Sequence, residues 1–367
     1  MKQLTHWRWG LAAAALLGVV LAGCANNAAQ TGSSDGGTSS ATTTGTGANA
    51  KPISIGMSDW PGYLVWDIAE QQGFFKKHNV NVKLVWFPVY TDSLNAFAAG
   101  QLDGNSQTWN DFMAPLAQGV DAKTVLLFDN SAGNDALIAQ PGIKTIKELK
   151  GKKVATELGT CDHFLMLKAL ESAGMTEKDI QFVPIAVQDC PNAMLSKRVD
   201  AAVVWEPSRT KILKEIKGST QLFDSADIPG AIPDLLVMKS DTVQSRRAEV
   251  QNLVDAWYES IDWWRANPDK AVQIMAKRTG TSVADYQSFI MGTRILSAPE
   301  AMIAMTKSAK PVSLYSSGES VSRFLIKVEQ ITKMPDYAAA VDASFTEASL
   351  SKGLGKMPPY DYKLKIQ

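Results

Sequence analysis

Lys197-Arg198-Val199-Asp200, running through Ala201-Ala202-Val203-Val204 to Trp205-Glu206, closes the second of two stretches that follow one order of elements. The first closes alike, with Gly100-Gln101-Leu102-Asp103 leading to Thr108-Trp109-Asn110-Asp111. Working back, each stretch opens on a short apolar run, Ile53 to Met57 in one and Val154-Ala155 in the other. A turn and a helical pattern follow, stopped at Gly73 and at Gly174, where glycine tolerates the left-handed conformation that ends a helix. A second apolar run comes next (Val82 to Trp86; Phe182 to Ala186), then a second helical pattern. Such alternation argues for an α/β fold with mainly parallel sheets flanked by helices. Two βαβαβ halves, Ile53 to Asp111 and Lys153 to Glu206, predict a two-lobed clamp with a Trp and an acid at facing strand ends.

Outward from the repeat, Thr124 to Phe128 and Asp234 to Met238 read as further strands. Turn-rich Asp129 to Asp135, followed by the short strand Ala136 to Ala139, marks the first crossing between lobes. The remainder is helical. Arg246 to Ala266 places Val250, Leu253, Val254, Trp257, Ile261 and Trp264 on one side, so these Trp residues read as core. Asn267-Pro268 and Ser297-Ala298-Pro299-Glu300 are helix starts.

The N-terminal end has a different character. Lys2 and Arg8 precede an apolar run from Leu11 to Leu21, too short for a comfortable permanent span, which reads as a signal peptide. Its close, Leu21-Ala22-Gly23-Cys24, resembles a bacterial lipobox and implies cleavage before Cys24 and lipidation of its thiol. Ala25 to Ala50 is mostly Ser, Thr, Gly, Ala and Asn, a composition that buries too little to fold and serves as a tether. The formal net charge is zero and no long basic block occurs, which argues against nucleic acid as a partner. Three His, no Cys-rich cluster motif and no Gly-rich phosphate loop argue against a metal or other cofactor. With Cys24 lipidated, Cys161 and Cys190 remain as an even pair in an oxidising compartment, each just past a strand end, and a disulfide between them is expected. The alternative is a reactive Cys161 thiol helped by His163.

In this order and spacing, several motifs resemble one family: Gly73-Phe74-Phe75, Ala99-Gly100-Gln101-Leu102-Asp103, the Lys147 to Val154 run, Val199 to Pro207, and Asn267-Pro268-Asp269-Lys270-Ala271. The chain from about 53 to 345 is similar to the nitrate/sulfonate/taurine and thiamine-precursor group of type II periplasmic binding proteins, the substrate-binding lipoproteins of ABC importers. The resemblance implies two lobes joined by two hinge strands, a ligand in the cleft, closure on binding, delivery to a permease and ATPase complex, and no catalysis. The expected organisation is a signal peptide (1–23), lipid anchor and tether (24–50), lobe 1 (51–137), lobe 2 (138–236), a helical return to lobe 1 (237–345) and a surface tail (346–367). A monomer outside the cytoplasm, in the periplasm or at the cell surface and held to a membrane by its lipid, is expected.

Ligands of open α/β sheets bind beyond the carboxyl ends of the strands. Collecting those loops gives the candidate ligand-binding residues Asp59, Trp60, Tyr90, Thr108, Trp109, Asp111, Asn130, Glu157, Thr160, Trp205 and Glu206. Acids and aromatics dominate, and Arg209 is the one guanidinium nearby. Trp faces attract cations and carboxylates supply charge and hydrogen bonds, so a small nitrogen-rich cation is expected: guanidinium first, then an amine, amidine or pyrimidine. The alternative in the same class is a sulfonate, taurine or nitrate held by backbone amides; in another class it is a pyrimidine-synthesis-like enzyme using Cys161 and His163. Other acids have blander readings. Asp92, Asp162 and Asp189 suit helix caps, and Asp103 and Asp200 suit turns before the third strands.

Overall fold

A computed structural model describes residues 51–361. The expected signal peptide, the expected lipidation site Cys24, the expected tether and the last residues of the tail lie outside the described residues. Ten strands form two sheets: β1 (Ile53–Met57), β2 (Val82–Trp86), β3 (Gly104–Thr108), β4 (Ala122–Asn130), β5 (Ala136–Ala139), β6 (Lys153–Thr156), β7 (Gln181–Pro184), β8 (Ala201–Val204), β9 (Thr220–Asp224) and β10 (Pro233–Lys239). The first sheet runs β2-β1-β3-β10-β4 and the second β7-β6-β8-β5-β9. In the first, β1 is parallel to β2 and β3, while β10 is antiparallel to β3 and β4. The second repeats this position for position, with β6 parallel to β7 and β8, and β5 antiparallel to β8 and β9. The sheets are therefore mixed, each carrying one reversed strand that has crossed from the other lobe.

The repeat's helices end as their glycines dictate. The helix Val65–Gln71 is followed by Gly73 at φ 74°, and the helix Cys161–Ser172 by Gly174 at φ 71°. Met175 N then donates back to the carbonyl of Leu170 at 2.9 Å, closing the last turn. Under the first sheet lies the 20-residue helix Arg247–Ala266. Its Trp257 ring packs 4.7 Å from Trp66 and 4.3 Å from Phe128, centroid to centroid, so the return helices complete the core of the first lobe. Trp257 and Trp264 are buried there, as their helical spacing requires. Asn267 precedes the helix Pro268–Thr279, and Ser297 with Glu300 forms a capping box on Ala298–Met305. Among the described residues no helix is long and apolar enough to cross a membrane.

The chain passes between sheets after Asn130 and again before Pro233. These crossings fall several residues before the borders expected at 137/138 and 236/237, because β5 and β10 each begin at the cleft edge of the sheet they enter. The two crossing segments are tied to each other: Ser131 N donates to Ile232 O and Ser225 N to Asp135 O, both at 3.0 Å. The Ser131 and Ser225 hydroxyls meet at 2.8 Å.

Candidate ligand-binding cleft

The strand ends of both sheets converge on a narrow cavity of about 10 Å³, room for roughly one water molecule with the lobes in this position. The loop after β1 supplies Ser58, Trp60 and Tyr63; the turn after β2 supplies Tyr90; β3 ends in Thr108. From the second lobe come Cys161 and Trp205. The two reversed strands run the other way, so their amino ends reach the same edge and add Asp135 and Asp234.

Four aromatic rings line this space, and each donates its polar hydrogen to a carboxylate. Trp60 Nε1 donates to Asp129 Oδ1 at 3.1 Å, and the Tyr63 hydroxyl to Asp234 Oδ1 at 2.5 Å. The Tyr90 hydroxyl donates to Asp111 Oδ2 at 2.8 Å while accepting from Thr108 N at 3.0 Å. Trp205 Nε1 donates to Asp59 Oδ1 at 3.0 Å. Gly62 permits the first of these pairs, since a Cβ there would stand 1.9 Å from Asp129 Oδ2. The carboxyl group that accepts from each ring fixes its rotation, and aromatic faces held in this way can attract positive charge.

The acids themselves are desolvated. Burial pushes Asp59 up to about 6 against the pull of the Trp205 indole, and Asp111 up to about 7 against the Tyr90 and Thr108 bonds. Asp129 and Asp234 sit opposite each other in the β4–β10 ladder, and burial followed by their mutual proximity drives Asp129 well above the carboxylate range. Burial raises Asp135 to about 6, and Asp162 lies well above the usual range because burial is compounded by Asp135. Among the described residues no Lys or Arg lines the cavity.

Of the residues expected from sequence, Trp60, Tyr90, Thr108 and Trp205 line the cavity, with Asp59 and Asp111 directly behind them. Glu157 bridges the lobes instead: its Oε1 accepts from Thr91 N at 3.0 Å and Thr91 Oγ1 at 2.6 Å, and its Oε2 from Val187 N at 3.3 Å. Thr160 donates to the Glu157 carbonyl at 2.8 Å, so it shapes that loop rather than the cavity wall. Trp109 is a correction. It is fully buried and turned away from the cleft, its Nε1 donating to Leu314 O at 3.0 Å beneath the helix Leu314–Lys327. Glu206 is another, because Arg209 Nη1 at 2.8 Å and Thr210 N and Oγ1, each at 3.0 Å, occupy its carboxylate within the second lobe. Asn130 lies at the end of β4 beside Pro233, outside the cavity wall.

The expected disulfide is also corrected. Cys161 and Cys190 are free, buried thiols at the first positions of two different helices. Cys161 Sγ points to Asp135 Oδ1 at 3.9 Å, whereas Cys190 Sγ turns to the carbonyl of Ala186 at 3.7 Å. Adjacent strands place their following helices side by side, but the first-turn side chains diverge. Nor do Cys161 and His163 make a nucleophile and base. Burial, then the charges of Asp111 and Asp135, push the Cys161 thiol well above its usual value. The His163 ring accepts from Gly159 N at 3.3 Å through Nδ1 and meets Glu177 Oε2 at 2.7 Å through Nε2.

Asp135 and Asp234 escaped the expected set. For the two acids the available signal was an Asp abutting an apolar run on each lobe crossing.

Residues 62–271 match the family model described as NMT1/THI5 like. The chain belongs to the NMT1/THI5-like family. A candidate binding protein of Brucella abortus is 28% identical over 264 residues, covering 70% of this chain and 80% of that one. The crystal structure of the periplasmic aliphatic sulphonate binding protein of Escherichia coli superposes with a TM-score of 0.67 at 20% identity, covering 82% of this chain and 100% of the other. The ligand-binding component of an ABC-type import system of Staphylococcus aureus, solved with zinc bound, superposes with a TM-score of 0.65 at 15% identity, over 82% and 99% of the two chains. These likenesses match the two-sheet architecture seen here.

Proposed function

We propose that this family member is the extracytoplasmic solute-binding component of an ABC importer, anchored through lipid on Cys24, which closes on a small nitrogen-rich cation and delivers it to a permease and ATPase complex. Guanidinium stands first among the ligands, ahead of other amines, amidines and pyrimidines. One observation carries this reading: four aromatic rings around the cavity are each backed by a carboxylate, and no cation among the lining residues balances them. A cation brought into such a site gains ring and carboxylate contacts together, strengthened by exclusion of water.

The sulfonate reading draws on the names of the relatives. An anion needs donors aimed into the cleft. Here the indole and phenol hydrogens are already given to Asp59, Asp111, Asp129 and Asp234, and the Arg209 guanidinium is paired with Glu206 and Gln221. Isothermal titration of the purified protein with guanidinium, taurine, nitrate and an aminopyrimidine tests the two readings. Saturable heat with guanidinium and none with taurine is expected; tight taurine binding without a guanidinium response overturns the proposal.

A further inference from the structure

At the edge of the cavity, the first crossing and the first turn of the helix Cys161–Ser172 bring Asp135, Cys161 and Asp162 together. One donor atom from each lies within 4.8 Å of the other two. All three residues are buried, and Asp162 has no exposed surface. Neither oxygen of the Asp162 carboxylate meets a hydrogen-bond donor among the described residues. Buried polar groups are ordinarily satisfied, so this carboxylate, set against Asp135 and a thiol, lacks a positive partner.

We propose that Asp135, Cys161 and Asp162 form a binding site for a divalent metal ion of the zinc-like class. The donor set decides the class. Calcium and magnesium take shells of oxygen, whereas one thiolate with two carboxylates suits a borderline ion such as Zn²⁺, whose bonds of about 2.0–2.3 Å need the three donors to draw in slightly. Cys161 and Asp162 occupy the first two positions of their helix, and a bound cation itself supplies the positive charge that holds both in the ionised forms a metal requires. The Ser131 hydroxyl donates to the other Asp135 oxygen and orients that carboxylate. Asp135 and Cys161 also line the cavity, which leaves a coordination position facing the cleft. Binding releases the thiol proton and any proton shared by the two carboxyls, so affinity rises with pH. The site shares Asp135 and Cys161 with the cavity wall, but its three donors are defined without reference to any organic ligand, so a failure of the guanidinium reading leaves it standing.

The test is titration of the ligand-free full chain with Co²⁺, a coloured substitute for Zn²⁺, followed by absorption spectroscopy and displacement with Zn²⁺. A saturable sulfur-to-cobalt charge-transfer band is expected, lost in Cys161→Ser and in Asp162→Asn and retained in Cys190→Ser. Absence of the band in the wild-type chain overturns the proposal, whether or not the variants fold. So does a band that survives in Cys161→Ser.

Discussion

The indole of Trp205 donates to the carboxylate of Asp59 across the cleft, Nε1 to Oδ1 at 3.0 Å, and so ties the last loop of one βαβαβ half to the first loop of the other. Its ring also meets Tyr90 edge to face, with centroids 5.5 Å apart. With the Thr91–Glu157 bonds, this contact joins the lobes beside the cavity, and it exists only while they are together.

Bonds made only in the closed form act on ligand affinity through the closing equilibrium. Thr91→Val removes the hydroxyl donor to Glu157 without altering the charge of the cavity. Ligand dissociation is expected to quicken about fivefold, the worth of roughly one hydrogen bond, with little change in association. Stopped-flow release of guanidinium, monitored through Trp fluorescence, measures it. An unchanged dissociation rate would show that the latch contributes nothing.

The pH dependence has a definite sign. Asp59 and Asp111 are raised from 3.8 to about 6 and about 7, so the folded chain keeps protons that the unfolded chain has lost over that interval. Their protonation stabilises the fold fully below about pH 4, and this contribution is lost as pH rises through the two folded values. The melting temperature of the ligand-free protein should therefore fall from about pH 4 to about pH 7 and level off above that. Guanidinium affinity should rise over the same range, because the cation favours ionised carboxylates. Scanning fluorimetry with and without ligand reads both trends; affinity that falls as pH increases would instead point to an anionic ligand.

Trp109 and Trp60 should part company. Trp109→Ala empties a fully buried site and is expected to cost about 3–5 kcal/mol of stability, read by denaturant unfolding. Trp60→Ala removes a cavity wall and should abolish most cation binding in calorimetry. If Trp109→Ala kept full stability and lost only binding, the core placement of that ring would be wrong.

Alkylation separates the free thiols from a disulfide. In native buffer, Cys161 and Cys190 should react slowly because both are buried, and burial holds each thiol in its neutral form. In denaturant without reductant both should label. A chain that labels at neither position would carry the bridge after all.

The sequence by itself determined the architecture. Apolar runs at Ile53, Val82 and Val154, helices stopped at Gly73 and Gly174, and matching strand ends are local signals, and periodicity and glycine conformation act locally. It also exposed half of the cleft, because Trp60, Tyr90, Thr108 and Trp205 follow or end strands that run toward the cleft. Tertiary structure decided the rest. Asp135 and Asp234 open strands that run in reverse, so they reach the cleft from their amino ends, and only strand pairing reveals that direction. The orientation of Trp109, the divergence of Cys161 from Cys190 and the pairing of each cavity aromatic with an acid likewise depend on which way a side chain leaves its element. Spacing along the chain fixes the element; only packing fixes what the side chain meets.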